Sequence, residues 1–318
     1  MTRQFRFGVQ ASAARTGKEW AEQARAIEGL GYSALFVHDH FVDTTAPAPM
    51  VALSFAAAAT TSLRIGMRVL GNDYKHPAVV AKEAATLDVL SDGRLEFGLG
   101  AGWSTADYEA LGLPYDRAGT RIERLAEALR VVKGAWGEGP YDFTGEHYTI
   151  TAYDAQPKPV QQPRPPILVG GGGEKVLKLA GREADIVVIN PILDAGVIGA
   201  EAAHTVGGAT ELRIGWVREG AGERFDEIEL QIRYSAASSG SVVAAITDDA
   251  RGLAEAMAPG IGVSADEALQ SGAVLAGSVE EVCDTLVRRR EEWGVSYVVF
   301  GEDMYEQFAP VVGRLAGT

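Results

Sequence analysis

Two short stretches suggest acid–base and phosphate chemistry. The first is His38-Asp39-His40 in "ALFVHDHF"; the second is the run of glycines 170–173 in "ILVGGGGEKVLKLAGREADIVVI". Two imidazoles separated by one residue can ligate a divalent metal. Alternatively, an adjacent acid and imidazole anchor a ring system or deliver a proton, because histidine titrates near neutrality. A hydrolytic metal site needs further ligands on later strands. The remaining histidines, His76, His147 and His204, fall at a helix start, in a hairpin and in a loop. Asp39 and His40 are therefore read as polar anchors or a proton donor, with His38 as a packing residue. The glycines point elsewhere. Amides in a helix's first turn lack internal partners and favour an anion, so bare backbone at a helix head suits a phosphate. A flexible glycine-rich loop is the competing reading.

Both stretches sit in a regular frame. Apolar runs at 5–10, 33–39, 63–70, 95–100, 167–170, 185–189, 228–234 and 296–300 read as strands. Amphipathic stretches at 18–30, 49–61, 77–90, 115–136, 173–184, 208–221, 279–293 and 304–315 read as helices. Runs such as "DIVVI" and "SYVVF" are apolar on successive residues, as in parallel strands buried on both faces. Eight strand–helix units without a composition break predict a (β/α)8 barrel as a single domain over 1–318. The insertions follow strand 4, with a hairpin at 141–150, and strand 7, where an irregular region at 235–275 holds two short helices. A doubly wound sheet would carry its glycine fingerprint after the first strand, and "FGVQASAARTG" has none. In a barrel the residues following each strand share one rim. That rim gathers Gln10, residues 38–40, residues 69–73, residues 100–103, the glycines and Asn190.

Composition narrows the chemistry further. At 318 residues and 47% hydrophobic, the chain can bury a large core. A net charge of -14 speaks against nucleic acid and anionic membranes as partners, but not against a small anion held by local cations. Cys283, the single cysteine, excludes an internal disulfide and reads as core. The N-terminus lacks the apolar run of a signal peptide, and the most apolar stretch, 50–70, is broken by Ser, Thr and Arg. These features predict a cytoplasmic protein.

The segments "ALFVHDHF", "HPAVVAKEAATLDVLSDGRLEFGLGAGW" and "ILVGGGGEKVLKLAGREAD" resemble the bacterial-luciferase-like flavin and deazaflavin oxidoreductases. The finer resemblance is to the F420-dependent branch common in actinobacteria. It implies a hydride transfer between F420 and a small organic substrate, with His40 catalytic and Asp39 and His40 beside the cofactor. It further implies a non-prolyl cis peptide within 67–70, at Arg68–Val69, and backbone contacts from Gly100, Ala101 and Gly102. Gly171, Gly172, Gly173 and Lys175 would take the cofactor phosphate, with Gln10, Trp103 and Asn190 lining the substrate pocket. Arg68 faces either the site or the outside; Trp103 is either an apolar wall or a cap on the barrel mouth. Sugar-phosphate dehydrogenases of the family carry a catalytic glutamate where Trp103 stands, which speaks against sugar-phosphate oxidation. The alternatives are an FMN-dependent monooxygenase using O2 with a separate reductase, and a non-catalytic deazaflavin carrier. Family members often pair as homodimers, and the small-residue stretch 49–61 offers a packing face.

Overall fold

The computed structural model describes residues 3–13, 15–42, 44–191, 209–236 and 242–318. Eight parallel strands form a closed ring: β1 (Arg6–Ala11), β2 (Ala34–Val37), β3 (Arg64–Met67), β4 (Leu95–Gly100), β5 (Ile167–Gly171), β6 (Ile186–Ile189), β7 (Glu229–Tyr234) and β8 (Val295–Gly301). β8 returns to β1 with Arg6 opposite Tyr297, and the last gap closes between β3 and β4 with Ile65 opposite Leu95. The expected (β/α)8 barrel is the observed fold. Around it run α1 (Gly17–Gly29), α2 (Pro49–Ala59), α3 (Pro77–Leu90), α4 (Thr105–Leu111), α5 (Ala118–Trp136), α6 (Glu174–Glu183), α7 (Ala209–Ala221), α8 (Ala250–Ile261), α9 (Ala265–Gln270), α10 (Val279–Trp293) and α11 (Tyr305–Leu315).

Side chains alternate across each strand, so every second residue enters the barrel. Phe7, Val9, Leu35, Val37, Val298 and Phe300 face outward into the large core beneath the helices. Ala34, Phe36, Leu168, Ile186, Val188, Tyr297 and Val299 fill the interior. Burial on both faces is the reason the strands are apolar throughout. Phe36 occupies so much of the centre that its neighbour must be small: a Cβ on Gly66 would lie 2.5 Å from the ring.

Below this apolar layer lies an ionic one at the strands' N-terminal ends. Arg6 bridges Glu96 and, at 2.6 Å, Glu229; Arg64 reaches Glu96 at 2.8 Å, and the Tyr297 hydroxyl donates to Glu96 at 3.0 Å. Burial alone would raise the Glu96 pKa, but Arg6 and Arg64 outweigh it and hold the carboxyl below its usual value. Its contribution is therefore complete above the unfolded pKa and disappears as pH falls through the depressed folded one. Glu96→Gln leaves two arginines short of a charge and is expected to cost about 3 kcal/mol, read as a lower urea midpoint. An unchanged midpoint would mean that the layer is not held by this charge.

Three elements differ from expectation. The third strand, expected over 63–70, ends at Met67, where the chain turns at a cis Arg68–Val69 peptide. Leu70–Gly71 then pairs separately with Leu99 and Gly100. The helix expected over 115–136 begins at Ala118 and is preceded by α4. The region after β7 contains its two short helices, α8 and α9, but also a parallel pair, Val243–Ile246 with Val274–Gly277. Those strands have four residues each and pair across about thirty residues of chain, too short and too distant for local periodicity to reveal. The hairpin forms from Tyr141–Thr144 and Thr149–Tyr153. Cys283 is buried on α10. Among the described residues no helix is long and apolar enough to cross a membrane.

Candidate active site

The Asp39–His40 pair follows β2, and what holds it is a residue that sequence reading missed. His40 Nδ1 lies 2.6 Å from Asp107 Oδ2 in the first turn of α4. The other oxygen of Asp107 accepts the amides of Phe41 and Val42, each at 2.9 Å. Burial pushes the Asp107 carboxyl upward, but His40 and the two amides prevail and hold it below its ordinary value. A carboxylate on Nδ1 selects the Nδ1–H tautomer and frees Nε2 for work elsewhere. The legible signal was "STAD": Ser104 caps α4 and Asp107 stands three residues on, a helix-start pattern that the sequence reading passed over. Asp39 Oδ2 accepts the Gly71 amide at 3.2 Å, and burial raises its pKa.

Trp103 packs edge-on to His40 with ring centroids 5.1 Å apart, so it belongs to this site's wall. His38 is also at the rim, 5.3 Å from the His40 ring, bonded to Gln10 Nε2 at 3.1 Å and Thr44 Oγ1 at 3.2 Å. Burial, and then the charges of His40, Arg233 and Arg68, push its pKa down to about 4, so it is neutral at pH 7.

Arg68 points into the barrel, which strand alternation alone left open. Its guanidinium donates to Gln231 Oε1 at 2.8 Å, Gln10 Oε1 at 3.2 Å and Asn190 Oδ1 at 3.3 Å. Gln10 and Asn190 thus meet on one cation. Burial lowers the Arg68 pKa, and Arg233 lowers it further. Gln231 and Arg233, inward-facing on β7, were not singled out from sequence.

The glycine run divides by cause. A Cβ on Gly171 would meet Val176 at 2.3 Å, and one on Gly172 would meet the Pro191 carbonyl at 2.1 Å; these two are required by the protein's own packing. Gly173 would meet nothing within 4 Å among the described residues. It is the N-cap of α6 with no side-chain cap bond, so the open space lies at a bare helix end. Beside it is Arg213, 3% exposed, donating to the Gly172 carbonyl at 3.3 Å. Burial lowers its pKa, and no carboxylate among the described residues pairs with it. Arg213 was also missed, although its place on the buried stripe Thr210–Arg213–Ile214–Val217 of α7 marks a cation on an apolar face. Lys175 is exposed on the first turn of α6. Gly100 pairs beside Leu70–Gly71, Ala101 follows half-buried, and Gly102 turns at φ +72° toward Ser104.

One chain of contacts joins these parts. A Cβ on Gly170 would lie 3.2 Å from Asn190 Nδ2 and 3.7 Å from Val69; Asn190 holds Arg68, Arg68 holds Gln10, and Gln10 holds His38 beside His40. Among the described residues no group of three His, Cys, Asp or Glu side chains could hold a metal. His204 lies outside the described residues.

Known proteins resemble this chain in sequence and in fold. The chain is 35% identical over 191 residues to an F420-dependent glucose-6-phosphate dehydrogenase of Kineococcus radiotolerans, covering 57% of this chain and 55% of the relative. It is 33% identical over 128 residues to an FMNH2-dependent dimethylsulfone monooxygenase of Pseudomonas putida, covering 40% and 35%. It thus spans about half or less of the length of these relatives. The structure superposes on coenzyme F420 dependent tetrahydromethanopterin reductase from Methanopyrus kandleri with a TM-score of 0.76 at 20% identity, covering 99% of both chains. An F420-dependent secondary alcohol dehydrogenase gives 0.74 at 19%, covering 98% of this chain and 99% of the other. These two likenesses concern the fold. The profile of the luciferase-like monooxygenases matches residues 2–297, and with that match the chain belongs to this family.

Proposed function

We propose that this protein is an F420-dependent oxidoreductase acting on a small organic substrate. The observation that carries the reading is the meeting, on one rim, of an oriented imidazole and an open, cation-flanked helix end. His40 is fixed by Asp107, and Gly173 leaves space beside bare amides and Arg213. The residues fit the cofactor. The amides of α6, with Arg213 and Lys175, would hold its phosphate. The Arg68–Val69 backbone, Asp39 and the 100–102 turn would lie along its ring. The cofactor, when bound, supplies hydride chemistry. The chain's own part is positioning and proton control. His40 Nε2 presents or withdraws a proton at the reacting centre, while Trp103 walls the mouth against water. The relatives that use F420 support this choice of cofactor, while Trp103 speaks against sugar phosphates as substrates.

The FMN monooxygenase among the relatives keeps a second reading alive, since a phosphate-holding loop serves either cofactor. Titration separates them. F420 fluorescence should change on addition of protein with micromolar or tighter affinity (~ -8 kcal/mol), and reduced FMN should drive no oxygen uptake. Oxygen uptake with FMN and no response to F420 would replace this reading with the monooxygenase. Tight F420 binding without turnover over a broad set of acceptors would favour the carrier.

A further inference from the structure

The inward positions of the barrel form two polar layers that differ in charge. In the lower one, Arg6 and Arg64 face Glu96 and Glu229, two cations with two anions, all in ion pairs. Four residues further along the same strands the pattern changes. Arg6 is succeeded by Gln10, Arg64 by Arg68, Glu96 by Gly100 and Glu229 by Arg233. The upper layer therefore keeps two arginines and loses both glutamates. Gln10, Asn190 and Gln231 give Arg68 only neutral amide oxygens. Neither Arg68 nor Arg233 has a carboxylate within ion-pair distance among the described residues. Gln231 is fully buried with Nε2 unpartnered, and the buried Nε of Arg233 is unpartnered too. The layer is thus short of acceptors as well as of negative charge.

The other titratable groups around it do not make up the deficit. His38 is neutral, Asp39 is turned to the Gly71 amide, and Asp107 is committed to His40. Asp303 is the one anion that favours Arg233 in its charged form; it flanks Gly301, where a Cβ would lie 2.7 Å from its carboxylate and 3.8 Å from the Arg233 guanidinium. It offsets Arg233 in part and Arg68 not at all. Among the described residues, about one positive charge is left uncompensated at the open end of the barrel, facing partly exposed space. Burying a cation without a partner is costly, and such groups are ordinarily paired. No carboxylate among the described residues completes the pairing, which leaves the place open to an anion from outside.

We propose that Arg68 and Arg233 bind the carboxylate of a monoanionic organic substrate at the barrel mouth. A guanidinium matches the two oxygens of a carboxylate, and the orphan Gln231 amide supplies a further donor. Arg68 and Arg233 are then the residues that choose the substrate, while the cofactor's phosphate is held apart at Gly173 and Arg213. The inference rests on the proposed function only in taking this mouth as the reaction site.

The test is calorimetric titration of the F420-loaded protein with acetate and benzoate, using acetamide and benzamide as uncharged controls. F420 affinity is measured separately for every variant. The acids should bind and the amides should not. Arg68→Met and Arg233→Met should each weaken acid binding by about tenfold or more; in Arg233→Met, whose residue lies outside the proposed cofactor contacts, F420 affinity should change less than threefold or so. Arg68→Lys keeps a charge in the layer, guards against a misfolded Met variant, and should retain part of the binding. Absence of acid binding in the loaded wild-type protein, equal binding of acids and amides, or a loss of F420 affinity in place of acid affinity would each overturn the proposal. Failure of the wild-type protein to bind F420, with arginine-dependent acid binding intact, would instead strike the proposed cofactor and leave the anion site standing.

Discussion

Gly173→Asp is expected to weaken F420 binding about a thousandfold while leaving the protein as stable as before. The backbone there is extended, with φ -87° and ψ 157°, the conformation of an ordinary capping residue. Among the described residues an aspartate meets no steric obstacle, since none of their atoms lies within 4 Å of the new Cβ. Its carboxylate would cap α6 and occupy the place of a phosphate. One unit charge against another at ~4 Å is worth about 4 kcal/mol near a protein surface, roughly a thousandfold in affinity. Thermal unfolding should show no loss, and the better cap adds a few tenths of a kcal/mol. Fluorescence titration reads the first effect and calorimetry the second. Unaltered F420 affinity in a folded Gly173→Asp protein would mean that this helix end is not the phosphate site. Gly172→Ala is no substitute for this test, because its methyl would strike the Pro191 carbonyl at 2.1 Å and disturb the fold itself.

The second large effect belongs to His40. With an acceptor that supports turnover, His40→Ala should lower kcat by about 10²- to 10⁴-fold, with F420 affinity nearly unchanged. Asp107→Asn should act through His40. An amide offers one acceptor oxygen where the carboxylate offers two, so it cannot serve the imidazole and the Phe41 and Val42 amides alike. Expected is a kcat lower by roughly tenfold or more, again with F420 affinity preserved; a merely structural role for Asp107 would move affinity and stability together. Full turnover in His40→Ala would remove the proton-transfer role, whatever its effect on binding.

Local rules revealed much of this protein because its architecture repeats them. Strands buried on both faces are apolar at successive positions, and eight such runs alternating with amphipathic helices leave a closed barrel as the natural arrangement. The residues that follow those strands then share a rim by geometry, which is how Gln10, Asp39, His40, Asn190 and the glycines could be gathered without a structure. The cis peptide at Arg68–Val69 came from resemblance, since no periodicity encodes it. The small parallel pair after β7 escaped because four-residue strands joined across a long excursion carry no local signature.

Other features were decided by distance through space. Asp107 lies 67 residues from the His40 it orients, and Arg213 lies 41 residues from the carbonyl it reaches. Nothing in the neighbourhood of either residue names its partner. The cause of each glycine was also hidden, since Gly171, Gly172 and Gly173 are the same letter but, among the described residues, only the last has nothing against its Cβ position. So was the direction of Arg68. One step of register moves a side chain from the helix-covered outside to the barrel interior, and register is fixed only when all eight strands close. The chain's own order determined which strands and helices form and which residues reach the rim. Closure of the barrel determined which of those residues meet, because contact between distant positions is a property of the packed whole.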